Sequence, residues 1–426
     1  MPQHAPLASA YAAAAPAPPP RPSLTGRIEA DACVVGAGLF GLSAALELAA
    51  RGLSVAVLEA AHVGWGASGR NGGQVIRGYN RSMGELEARL GAGHARALWD
   101  LAEEGRRMIG ERVAAHAIDC SLTPGFLYAG LKDRHRAEAE AFAEECARYG
   151  ADGVRVLDAD GVRALVATRR YTSGAFDPGG AHLDPLAYVR GLAGAAEAAG
   201  ARVYEGSRVV RLGWEGGAHV AETAAGAVRA GALVLAGNAL LGRLEPRLDR
   251  MILPVTTGMV ATAPLGAGRA AALIPSGAAV SDMNLVLDYF RLSPDGRLLF
   301  GGGVTYAGLE TPGLAAALRR RMLRVFPDLA DVAVERAWWG RIDMSLDRMP
   351  QVGRLDGGAL YAQGFSGHGL ALTQIAGRVV AEAVAGRTDR FDAFARLPRR
   401  PFPGGRWLRR PALVAGMAWA RLADRF

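Results

Sequence analysis

Two hydrophobic rhythms alternate along this chain. ADACVVGAG, residues 30–38, is a nearly unbroken apolar run of the kind a strand buried on both faces requires. FGLSAALELAARG then takes helical spacing and ends at Gly52, and LSVAVLE returns to a strand. The three form a βαβ unit of about thirty residues. From Ser82 to Arg148 the pattern is mostly helical, with GELEARL, ARALWDLAEEGRRMIGERVAAHA and RHRAEAEAFAEECARYG set apart by turn residues. HLDPLAYVRGLAGAAEAAGARVYEG predicts a helix capped by Asp184 with Pro185 at its first position, followed by a strand. RAGALVLAGNAL reads as a further buried strand, and DYFRLSPDGRLLFGGG as a hairpin turning at Pro294, Asp295 and Gly296. The last patterned stretch, from Met349 to Gly386, gives strand, turn, strand, glycine loop and a long helix.

The chemistry begins where the first strand becomes a helix. In Gly36-x-Gly38-x-x-Gly41 the first glycine permits the turn, the second lets backbone approach a pyrophosphate, and the third brings helix and strand together. The helix N-terminus then offers unpaired N–H groups to the anion. Glu59, at the end of the next strand, is placed to accept both ribose hydroxyls, which favours a nucleotide without a 2′-phosphate. NAD and FAD share that half, so other segments must decide between them. GWGASGRNGGQV, Gly64 to Val75, is too rich in glycine and hydrogen-bonding side chains for a simple connector and offers Ser68, Asn71 and backbone to a flavin. GFSGHGLALTQIAG, Gly364 to Gly377, is a second glycine loop feeding a helix, whose N-terminus would face the negative charge that develops on a reduced flavin.

Composition narrows the class. Half of the 426 residues are hydrophobic, enough for a large core and two domains. The formal charge is +8, yet the positive residues are scattered arginines with Lys132 as the sole lysine, and no basic run carries interleaved aromatics, so nucleic acid is not expected as a partner. Cys33, Cys120 and Cys146 lack metal or disulfide spacing, which excludes a metal site built on them and fits a reducing, cytoplasmic setting. Prolines break the N-terminal stretch where a signal peptide needs a continuous apolar run. For the apolar, arginine-flanked tail from Arg406 to Phe426, packing on the body is preferred to a membrane contact.

Taken in order, CVVGAGLFGLSAALELAARG, VGWGASGRNGGQV, HLDPLAYVRGLA, DYFRLSPDGRLLFGG, DRMPQVGR and YAQGFSGHGLALTQIAG resemble the FAD-dependent amine and amino-acid oxidase superfamily, and within it the γ-glutamylputrescine oxidase-type proteins. The ending RPFPGGRWLRRPALVAGMAWARLADRF shares the likeness. The resemblance implies an α/β fold: a discontinuous Rossmann-like FAD-binding domain (28–90, 182–255 and 336–395) with a mixed-sheet α+β substrate domain (91–181 and 256–335). An extended arm, 1–27, precedes them and a tail helix, 396–426, follows.

It further implies FAD contacts at Gly36, Gly38, Leu39, Phe40, Gly41, Glu59 and Ala60, at Gly66, Ala67, Ser68, Arg70, Asn71, Gly72 and Gly73, at Val209 and Gly237, and at Gly364, Ser366, Gly367, His368 and Gly369. The expected reaction oxidises a C–N bond of an aliphatic amine, with γ-glutamylputrescine or a related polyamine conjugate as the candidate, to an imine that hydrolyses to an aldehyde and ammonia, with O2 as the expected acceptor giving H2O2. An amino-acid dehydrogenase feeding a quinone or protein, a flavin-binding scaffold without turnover, and a flavin monooxygenase stand as alternatives. Relatives that activate oxygen with a lysine have no counterpart here, because Lys132 opens a surface helix; His368 and Arg341 are the candidate replacement cations. Tyr289 with Trp65, Phe290 and Trp338 would wall the amine site, and Arg77 or Arg291 would clamp a substrate carboxylate. With no cysteine after Cys146, FAD is expected to be held non-covalently.

Overall fold

Residues Gly26–Val35 form the central strand of a sheet, and the apolar run at its end is buried. The computed structural model describes residues 9–16, 18–305, 313–403 and 411. On one side the central strand pairs in parallel with Val55–Leu58, which pairs with Arg202–Tyr204. On the other side lie Gly226–Leu235 and then Leu360–Gln363, again parallel, with Gln351–Arg354 antiparallel at the edge. Ala218–Glu222 and Arg211–Glu215 complete the eight strands. From the central strand the chain builds outward to one side and then returns to add Gly226–Leu235 and Leu360–Gln363 on the other, so the crevice at its C-terminal end, just beyond Val35, is where such a sheet binds ligands.

A second sheet has nine strands, ordered Val334–Ser345, Ile252–Thr262, Leu298–Thr305, Asp288–Leu292, Ala279–Asp282, Thr123–Gly130, Ser173–His182 and Gln74–Val75, with Arg155–Asp158 also paired to Ser173–His182. The predicted hairpin is present, its strands antiparallel from Leu292↔Leu298 to Asp288↔Gly302. This sheet corrects several expectations. The section from Ser82 to Arg148 is interrupted by the strand Thr123–Gly130, which non-local pairing stabilises on both sides. The expected boundaries at 255/256 and 335/336 fall inside Ile252–Thr262 and Val334–Ser345, which pair with each other along their length in the second sheet. The arm is not uniformly extended either: Ala10–Ala14 is a helix, with Ser9 Oγ accepting from Ala12 N at 3.2 Å, because Tyr11 finds a buried site. Most of the expected tail helix lies outside the described residues. Among those described, no helix is long and apolar enough to cross a membrane.

Three helices pack around the first sheet: Leu39–Ala49, Pro185–Ala198 and Gly369–Val384. Asp184 caps the second as the sequence predicts, accepting from Leu186 N and Ala187 N, each at 2.9 Å. A longer helix, Ala92–Ala115, crosses Gly369–Val384 where Gly105 leaves room for Ile375. There Arg112, 5% exposed, donates to Gln374 Oε1 at 2.5 Å, Ser43 Oγ at 2.8 Å and Glu47 Oε1 at 2.8 Å. This satisfied buried network ties the helices behind both glycine turns to a third.

Candidate functional site

At the end of the central strand the glycine turn is built as its spacing requires. Gly36 has φ +111°, and a β-carbon on it would stand 2.8 Å from Ala236 O. One on Gly41 would stand 2.0 Å from Gly36 O, so the third glycine sets the closeness of helix and strand. Gly38 starts the helix without a side-chain cap of its own, but Ser68 from the next loop supplies one, its Oγ accepting from Leu39 N at 3.0 Å. The side chains of Leu39 and Phe40 are buried in the core, leaving their backbone as what they present to the turn.

Glu59 spans this turn, Oε2 accepting from Ala37 N at 2.9 Å and Oε1 from Ala61 N at 2.8 Å across Ala60. Burial pushes its carboxyl up, while these N–H groups pull it down. Ser207 N donates to Glu59 O at 2.7 Å, which brings the segment of half-buried Val209 alongside. Gly237 follows Ala236 at the end of the neighbouring strand and starts a short 3-10 turn. Thus the segments of Gly36, Glu59, Val209 and Gly237 converge.

The loop after Glu59 is ordered by its own polar groups. Ala67–Gly69 is one 3-10 turn, reached by Gly66, whose α-carbon faces Leu240. Asn71 Nδ2 donates to the carbonyls of Ala67 and Ser68, each at 3.0 Å, and its Oδ1 accepts from Gly73 N at 2.8 Å. Arg70 Nε returns to Trp65 O at 2.8 Å, with its guanidinium 5.0 Å from the Trp65 ring centre. Gly73 has φ +74° and lies so near Leu183 O that no side chain fits.

The second glycine loop leaves the strand Leu360–Gln363 and enters Gly369–Val384. Gly364, Ser366 and Gly367 take φ values of +75°, +52° and +93°. Asp343, which the sequence reading missed, holds this turn: its buried carboxylate accepts from Gly364 N and its carbonyl from Ser366 N at 3.1 Å. Burial raises its carboxyl, and the Asn238 side chain hydrogen-bonds to it. Asn238 was missed too; the only local signal was its place in a small-residue turn, where its φ is +47°. His368 precedes the helix, and burial holds its imidazole down to about 4, leaving it neutral at pH 7. His368 Nδ1 and Asn238 Oδ1 are buried without a hydrogen-bond partner.

Across from the loop stands one face of the second sheet. Trp338, Met259, Gly301 and Tyr289 are successive cross-strand neighbours, and the Tyr289 ring lies over Gly301, where a β-carbon would come within 2.3 Å of it. The same ring approaches Gly72, so Tyr289 lies between substrate sheet and loop. Phe290 alternates to the opposite face, stacking on Phe300 and meeting Phe326 edge to face, which corrects its reading as a wall. Arg341 is exposed and alternates away from Gly340, whose α-carbon faces Arg70; the structure therefore does not bring Arg341 and His368 together. Lys132 stands just before the helix Asp133–Arg148, as predicted.

Both expected clamps are buried and engaged within the protein. Arg77 is buried, with Nε and Nη2 on Asp177 at 3.1 and 3.0 Å and Nη1 on Glu103 at 2.5 Å. Arg291, 2% exposed, donates to the carbonyls of Gly72 and Leu183, each at 2.8 Å, and of Leu292 at 3.2 Å. Both arginines stabilise the framework.

Residues 31–383 match the model of the family described as FAD dependent oxidoreductase. The chain belongs to that family. It is 43% identical over 418 residues to the γ-glutamylputrescine oxidoreductase of Escherichia coli K12, covering 98% of each chain. It is 38% identical to a probable oxidoreductase of Haemophilus influenzae over 95% of this chain and 94% of the other. In fold it is similar to glycine oxidase of Geobacillus kaustophilus, with a TM-score of 0.71 and 23% identity over 84% of this chain and 95% of that one. The site of this FAD dependent oxidoreductase fits its cofactor: two glycines of the first turn where a β-carbon has no room, a glycine-led helix start, a carboxylate bridging the turn, and orphaned polar atoms at the second turn.

Proposed function

We propose that this flavoprotein oxidises the C–N bond of an aliphatic amine of the γ-glutamylputrescine or polyamine-conjugate class. FAD, when bound, would supply the two-electron acceptor for oxidation at the carbon next to nitrogen, and water would hydrolyse the resulting imine to an aldehyde and ammonia. Gly36, Gly38 and Gly41 would receive the pyrophosphate, Glu59 the ribose, Ser68–Gly73 the middle of the cofactor, and Gly364–Gly369 its redox ring. Tyr289, Met259 and Trp338 would hold the aliphatic part of the amine and exclude water, which favours the neutral amine whose lone pair the reaction needs. The three cysteines are buried and free, which supports non-covalent FAD and a cytoplasmic setting.

The observation that carries the choice of amine is the 43% identity, over 98% of each chain, to a γ-glutamylputrescine oxidoreductase; Arg77 and Arg291, the expected grips for a substrate carboxylate, are spent on Asp177, Glu103 and backbone carbonyls. O2 is the acceptor in this reading. A dehydrogenase passing electrons to a quinone or protein is the second reading, favoured by the neutrality of His368 and the outward position of Arg341.

The FAD-loaded protein, mixed without oxygen with γ-glutamylputrescine, putrescine, glycine, sarcosine and D-alanine, should be bleached by the acylated diamine. Bleaching by the amino acids alone would overturn the proposal. Admitting air separates the acceptors: prompt recolouring with peroxide supports O2, and persistent bleaching supports the second reading.

A further inference from the structure

Three consecutive carbonyls of the loop after Glu59 are each taken by a side chain from outside the first sheet. Trp338 Nε1 donates to Arg70 O at 2.9 Å, the Tyr11 hydroxyl to Asn71 O at 2.9 Å, and Arg291 Nε to Gly72 O at 2.8 Å. The donors also touch one another. The rings of Tyr11 and Trp338 meet edge to face at 5.5 Å, the Arg291 guanidinium lies 5.6 Å from the Tyr11 ring centre, and its Nη2 is 3.4 Å from the hydroxyl. Two of the three come from the substrate sheet. The third comes from the N-terminal segment, sixty residues before the loop it meets and ahead of the residues 31–383 that the family model matches. Tyr11 is 4% exposed, on a helix of five residues whose only buried side chain is its own.

We propose that Tyr11 is a positioning residue for the cofactor loop: the N-terminal segment is a strap whose buried tyrosine hydroxyl fixes Asn71, and through Asn71 the Ser68–Gly73 turn, in the shape that receives FAD. The inference rests on the placement of FAD at this loop. Asn71 closes the turn through both ends of its amide, so its backbone orientation decides where Ser68, Gly72 and Gly73 stand. Burial outweighs the nearby Arg291 and raises the tyrosine to about 12, so the hydroxyl keeps its proton, and its donor role, throughout the neutral range. Without that donor, Asn71 O must stay buried unpaired or the loop must relax.

Tyr11→Phe tests this in the full chain, because the ring stays against Trp338 while the hydroxyl is lost. Titrating apoprotein with FAD by fluorescence quenching, the variant should bind about fivefold to tenfold more weakly. Hydrogen exchange in apoprotein peptides covering residues 66–75 should quicken, while exchange in Leu39–Ala49 stays unchanged. A merely structural role would lower the apoprotein melting temperature without changing the FAD dissociation constant or localising the exchange. Wild-type protein that binds FAD with a Tyr11→Phe variant equal to it in affinity and in loop exchange would overturn the strap alone. Wild-type protein that binds no FAD would overturn the strap and the functional reading together.

Discussion

Gly377 and Ser43 meet so closely that a β-carbon on the glycine would stand 2.3 Å from Ser43 Oγ, the same hydroxyl that donates to Gln374 O at 2.8 Å. The helices behind the two glycine turns are therefore in backbone contact. Gly377→Ala should force them apart, because Ala44 N would also lie 2.6 Å from the new carbon. Overpacking of about 1–3 kcal/mol, reduced by alanine's helix preference of about 1 kcal/mol, predicts a net loss measurable by urea denaturation and a weaker grip on FAD. Gly194→Ala is the control: a β-carbon added to that glycine, in the helix Pro185–Ala198, would meet nothing within 4 Å among the described residues, so it should be neutral or stabilising. Equal behaviour of the two variants would contradict this account.

Glu59→Gln preserves size but replaces one accepting oxygen with an NH2 group, so the N–H groups of Ala37 and Ala61 can no longer both be accepted. FAD affinity should fall by about tenfold, or ~1.4 kcal/mol, in a fluorescence titration. An unchanged dissociation constant would remove Glu59 from the cofactor site.

Arg77→Ala leaves Asp177, 0% exposed, as a buried carboxylate without its bidentate partner. A loss of about 3–5 kcal/mol is expected in chemical denaturation, with part of it recovered when Asp177→Asn is added. The folded fraction should retain its substrate KM. A large rise in KM at unchanged stability would restore Arg77 as a substrate clamp.

Two buried groups set opposite pH limits. Burial brings His182 from its ordinary 6.5 down to about 4, so the unfolded chain takes up this proton first. Its contribution is present above about 6.5 and is lost as pH falls toward 4. Asp282, raised to about 7 by burial and then by Asp288, works the other way: its contribution is complete below its ordinary 3.8 and is lost as pH rises through 7. His182→Gln, which keeps a donor for Gly277 O, should remove a rise in apoprotein melting temperature between about pH 4 and 6.5, whereas Asp282→Asn should remove a fall between about pH 3.8 and 7. An unaltered rise and fall would count against both assignments.

What the sequence disclosed follows from range. The turn at Gly36–Gly41, the cap at Asp184 and the hairpin at Pro294–Gly296 are each written within a few residues, where period and turn chemistry suffice. Thr123–Gly130 was hidden because its partners lie about fifty and one hundred fifty residues away, and only their pairing makes it a strand. Asp343 and Tyr11 were hidden for the same reason: their significance lies in contacts to Gly364 and Asn71, which local pattern does not encode. Arg77 and Arg291 were candidates from position for a substrate carboxylate, but the carboxylates and carbonyls they grip belong to the protein.

The order of the first sheet has a consequence for biosynthesis. Its parallel core draws one strand from residues 26–35 and another from residues 360–363, so a nascent chain leaving the ribosome holds an unfinished edge until nearly all of it has been made. Truncation before Leu360 should therefore yield insoluble material in place of a smaller nucleotide-binding module, and adding FAD during translation should not rescue it.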